Sequence, residues 1–132
     1  MTTICLRRHE NRGPIVISLD VESSVYLYSV EIQPNQRAET RLLSRQRTAR
    51  SAVWTDQVLF EDATPEVRID VKWVTMGSAA PGRRYKATLS VLDDAGALAP
   101  ARPGYANPMT ITGRIGPAAD PTDERFVSIV MR

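Results

Sequence analysis

Hydrophobic and polar residues alternate along Val67-Arg68-Ile69-Asp70-Val71-Lys72-Trp73, and Val74 follows. Val67, Ile69, Val71 and Trp73 fall on one side, and Arg68, Asp70 and Lys72 on the other. Side chains of a β-strand point alternately to opposite faces, so a period of two predicts a half-buried strand here. The strand extends from Glu66 to Met76. The same grammar marks Thr2 to Arg7, Ile15 to Val21, Ala52 to Phe60, Arg84 to Leu92, Pro108 to Ile115 and Arg125 to Met131. Ser24 to Gln33 is apolar on both faces at its start. Tyr26, Tyr28, Val30 and Ile32 share one side and Val25 and Leu27 the other, which predicts a covered strand with the two tyrosines in the core.

Gln36 to Arg50 fits this grammar poorly. Read as a helix capped by Asn35, it sets Arg37, Arg41 and Arg45 on one face; read as a strand, its few apolar residues, Leu42 and Leu43, fall on opposite faces. An edge strand is the better expectation, because charged side chains on an edge discourage edge-to-edge pairing. Between the strands, Glu61 to Pro65 and Asp93 to Gly96 read as tight turns. Gly77 to Arg83, Ala97 to Asn107 and Gly116 to Glu124 are longer, Pro- and Gly-rich connections. In a meander the first and third of these share one end of the sheets and the second lies at the other.

Eight or nine short strands with no helix of consequence predict an all-β domain: an antiparallel two-sheet β-sandwich, immunoglobulin-like or jelly-roll in topology, with a closed β-barrel as the alternative. No segment repeats at a fixed period and no linker divides the chain, so residues 1–132 are expected to form a single domain. The paired cysteines that flank a tryptophan in antibody domains are impossible here, since Cys5 is the only cysteine.

Composition changes this picture little. The chain carries 17 basic and 15 acidic residues, a net charge of +2, and all the basic residues except Lys72 and Lys86 are arginine. Acids are interspersed with them, whereas binding to DNA needs basic residues clustered in excess, so sequence-specific nucleic-acid recognition is not expected. No apolar run approaches the roughly 20 residues of a membrane span. The opening residues lack the order of a secretory signal. The expected location is therefore cytoplasmic, or outside the cell by a route without a cleaved signal peptide.

Candidate chemistry is sparse. One histidine, His9, and one cysteine cannot supply the three or four ligands of a zinc site. His9 sits among Arg7, Arg8 and Glu10, a polar setting with no base–nucleophile pair in view, so no catalytic residue is assigned. Calcium needs only oxygen ligands, which Asp93, Asp94, Asp120, Asp123 and Glu124 offer in loops, but solvated, turn-forming carboxylates are the better reading of them. Neither metal nor cofactor is expected. Two groups point to binding instead. Arg37, Arg41, Arg45, Arg47 and Arg50 gather five guanidiniums with only Glu39 to offset them, which suits an anionic partner surface. Arg102, Tyr105 and Asn107 set an aromatic ring beside polar groups in a loop, the elements of a sugar platform. The expected function is a non-catalytic binding or assembly module acting through contacts with another protein or further copies of itself. A small lectin-like carbohydrate binder is the alternative, and an enzyme working with loop carboxylates comes third.

Overall fold

The computed structural model describes residues 2–7, 15–22, 25–34, 41–42, 51–56, 67–77, 81–93 and 95–131. They form nine strands: β1 (Thr2–Leu6), β2 (Ile15–Val21), β3 (Tyr26–Pro34), β4 (Arg41–Leu42), β5 (Ser51–Asp56), β6 (Val67–Met76), β7 (Arg84–Leu92), β8 (Met109–Arg114) and β9 (Thr122–Met131). The strands make a five-stranded sheet, ordered β1-β9-β6-β3-β4, and a four-stranded sheet, ordered β5-β2-β7-β8. Neither sheet closes on itself. The fold is an all-β sandwich, and the barrel alternative is set aside.

Alternation decides which residues enter the layer between the sheets. In β6, Ile69, Val71 and Trp73 are fully buried while Arg68, Asp70 and Lys72 face outward, as the sequence pattern requires. Ile15, Ile17, Leu19 and Val21 of β2 and Tyr85, Ala87, Leu89 and Val91 of β7 meet them from the other sheet, in one continuous core. The connections at 77–83 and 116–124 lie together at one end: the Gly77 N–H donates to the Pro121 carbonyl and the Gly82 N–H to the Ile115 carbonyl. The loop at 97–107 closes the opposite end, where its backbone bridges Leu92 and Leu6.

Three features depart from expectation. β1 runs parallel to β9, Thr2 opposite Val127 and Leu6 opposite Met131, in an otherwise antiparallel structure. Hydrophobic pattern fixes which face a strand buries, not its direction. In β3 the pairing with β6 slips between Leu27 and Ser29, inserting Tyr28 as an extra residue. Such a bulge switches the buried parity: Val25 and Leu27 are core before it, Val30 and Ile32 after it. Tyr26 and Tyr28 are consequently half-buried rather than core, and the Tyr26 hydroxyl reaches Met76 Sδ at 2.7 Å. Finally, β9 begins at Thr122, three residues before the expected Arg125, because Thr122, Asp123 and Glu124 pair with Met76, Thr75 and Val74.

Candidate interaction surfaces

The loop after β7 is held by its own polar groups. Asp93 Oδ1 accepts from the Ala95 and Ala97 N–H groups, both at 2.9 Å, and Gly96 takes a φ of 83° that favours glycine. The chain then runs across the end of the sandwich. The Ala99 N–H donates to the Val91 carbonyl in one sheet and the Arg102 N–H to the Cys5 carbonyl in the other. Arg102 to Tyr105 form a turn closed by the Tyr105 N–H on the Arg102 carbonyl at 3.1 Å. Pro103 and Gly104, the latter at φ 86°, occupy the central positions that a type II turn demands. Asn107 fastens the return. Its Nδ2 donates to the carbonyls of Val91 and Ala99, both at 2.8 Å, and its Oδ1 accepts from the Val91 N–H at 3.0 Å.

This geometry separates the three residues of the expected sugar platform. Arg102 and Tyr105 stand together on the surface, bracketing one turn, whereas the Asn107 amide is turned inward and both its N–H donors are engaged by backbone. Apart from Arg102, what the loop presents outward is apolar. Leu98 is 47% and Tyr105 41% exposed, and Pro100, Pro103, Ala106 and Pro108 are exposed around them.

At the other end, a polar contact joins the sheets. The Tyr85 hydroxyl of β7 donates to Asp123 Oδ2 of β9 at 2.6 Å, and Arg125 Nε donates to the same oxygen at 2.9 Å. Burial and the carboxylate neighbour together push the Tyr85 pKa up to about 12; Thr75, close by but outside hydrogen-bonding geometry, offsets part of the rise. Asp123 likewise holds Arg125 more firmly in its charged form. A phenol this reluctant to ionise is of little use as an acid or base near neutrality, so the contact reads as a fastening. Gly113 of β8 makes room for it, since a Cβ there would overlap both the Tyr85 ring and the Asp123 carboxylate. Trp73 Nε1 and Thr75 Oγ1 lie buried nearby in sequence, each without a hydrogen-bond partner among the described residues.

The loop carboxylates considered for calcium have other employment. Asp93 shapes its turn, Asp120 accepts from the Thr122 hydroxyl at 2.8 Å, Asp123 joins the sheets, and Glu124 pairs with Lys72 at 3.4 Å. Among the described residues no three His, Cys, Asp or Glu side chains gather as metal ligands do. Asp94 and His9 lie outside the described residues. Cys5 is fully buried. Of the arginine run, Arg37, Arg45, Arg47 and Arg50 also lie outside them, and Arg41 is described only as backbone in β4, an edge strand opposite Ile32.

Sequence reasoning missed one surface, the outer face of the four-stranded sheet. Ser18, Ser90, Thr88, Thr110 and Thr112 line it, and at the end near the 77–83 connection Arg84 stands directly opposite Arg114, with Lys86 opposite Thr112. The hydroxyl residues at alternate positions were visible in the sequence. The juxtaposition of Arg84 and Arg114 was not, because it depends on a pairing 30 residues long. No helix among the described residues is long and apolar enough to cross a membrane. The chain matches no family model, and no curated protein or solved structure is significantly similar to it.

Proposed function

We propose that this sandwich is a non-catalytic module that binds another protein, or a further copy of itself, through the loop after β7. The observation that carries the reading is the loop's construction: the Asp93 and Asn107 side chains are spent on its own backbone, and Leu98 and Tyr105 are left outside beside Arg102. A partner then gains apolar contact without the entropy of ordering a flexible segment. Aromatic side chains on a rigid support are the residues that most often anchor protein interfaces. A sugar site finds less support, since Asn107 has no donor to give.

The test replaces Leu98 or Tyr105 with a photo-cross-linking amino acid in the producing cell. Protein adducts, homotypic or heterotypic, are expected at both positions and not at Asp20 on the exposed face of β2. Absence of protein adducts, together with a glycan-array signal abolished by Tyr105→Ala, overturns the proposal in favour of a lectin.

A further inference from the structure

The outer edge of β8 combines two unfinished features. Ile115 N–H donates to the Arg83 carbonyl, so the next pair outward, Arg84 and Arg114, is a non-hydrogen-bonded one, the kind in which side chains come closest. Like charges directly opposite each other cost stability. Neither arginine has an ion-pair partner among the described residues, nor does Lys86 two positions along β7. The same alternation turns the backbone N–H and C=O groups of Thr110, Thr112 and Arg114 away from β7. Among the described residues no strand pairs with that side of β8.

We propose that β8 is a strand-addition site for an extended acidic polypeptide segment, whose alternate carboxylates are received by Arg84, Lys86 and Arg114. Backbone pairing along β8 would supply affinity, and the cations would select the sequence, the division of labour general to strand addition. The cationic strip is two strands wide and lies at the sheet's edge, bounded on its inner side by the carboxylates of Asp20 and Glu22, the latter paired through its backbone with Lys86. A single extended chain fits that width; a broad polyanion such as nucleic acid would meet the carboxylates, and no exposed aromatic lies among the cations to stack a base. This surface adds to the loop carrying Tyr105 and does not depend on it.

The experiment uses the full chain and a fluorescent, end-capped peptide of six residues, the length of β8, alternating Glu and Val. Anisotropy should report binding that weakens with salt, and amide exchange at Thr110 and Thr112 should slow in the complex. Arg84→Gln with Arg114→Gln should weaken binding by about tenfold, the loss of two exposed ion pairs, with the melting temperature unchanged or raised. Thr112→Pro removes an N–H that no described residue accepts, and should abolish slowed exchange and binding together. Equal binding of a Lys-Val peptide, unchanged affinity in the Gln variants, or tighter binding of a hexanucleotide would each overturn the proposal.

Discussion

On the outer face of the five-stranded sheet, Lys72 lies 3.4 Å from Glu124 and Asp70 accepts a hydrogen bond from the Ser128 hydroxyl at 2.7 Å. Across the molecule, on the outer face of the four-stranded sheet, Arg84 looks at Arg114 and Lys86 at Thr112. Both faces come from strands of the same alternating pattern, and the core between them is shared. On the first face Lys72 and Asp70 find partners within the fold, while Arg68 beside them is exposed. The second sets Arg84 against Arg114 with no ion-pair partner among the described residues, and its carboxylate nearest in register is that of Glu22, whose N–H pairs with the Lys86 carbonyl. The difference teaches that a sheet face is read better from cross-strand pairs than from composition, because the register decides which cation meets a carboxylate and which meets another cation.

The comparison can be tested by substitution, beginning with the largest effect. Trp73→Ala should cost about 3–5 kcal/mol in chemical denaturation, since the ring is fully buried in the core that supports both faces. A loss of that size sets the scale for the rest. A smaller effect belongs to the fastening between the sheets. The folded chain holds the Tyr85 proton to a pKa of about 12 against 10.0 for an ordinary tyrosine, so it binds the proton more firmly than the unfolded chain does. Its contribution is complete below pH 10 and is lost as pH rises through about 12, by about 1–2 kcal/mol once solvent screening is allowed for. Denaturation midpoints followed into alkali should fall over that window and flatten in Tyr85→Phe.

Asp70→Ala should cost about 1 kcal/mol by the same measurement, because it removes the carboxylate that accepts from the buried Ser128 hydroxyl. The smallest effects bear most directly on the two faces. Lys72→Gln should destabilise by a few tenths of a kcal/mol, the ordinary worth of an exposed ion pair. Arg114→Gln should instead stabilise by a similar amount, by removing a like-charge contact. Equal signs for the two substitutions would erase the distinction between the faces.

Much of the fold was legible in the sequence, and the limits follow from what a local pattern encodes. Ile15 to Val21 and Arg68 to Trp73 announce both strand and buried face through alternation, and the structure buries Ile15, Ile17, Leu19, Val21, Ile69, Val71 and Trp73 accordingly. The connections at 77–83 and 116–124 meet at one end as a meander implies. Tyr26 and Tyr28 misled because a bulge costs no signature residue; one extra position reverses the faces and leaves the string of hydrophobic letters unchanged. The parallel partnership of β1 and β9 and the Tyr85–Asp123 contact join residues far apart in the chain, and nothing local announces them. Gly113 did carry a hint, since a lone glycine inside a strand marks a close approach. At the loop, Arg102 and Tyr105 were rightly placed in a Pro- and Gly-rich turn, but the Asn107 side chain serves the backbone. The arginine run from Arg37 to Arg50 falls almost wholly outside the described residues.

The pairing of β1 with β9 has a temporal side. Ile4, Cys5 and Leu6 are fully buried, yet the strand that pairs with theirs is made more than a hundred residues later: Thr2 awaits Val127. At a synthesis rate of roughly 5–20 residues per second, this apolar segment leaves the ribosome many seconds before its neighbour exists. The Cys5 thiol is thus a built-in stopwatch. It should accept an alkylating pulse throughout elongation and lose its reactivity only when β9 docks.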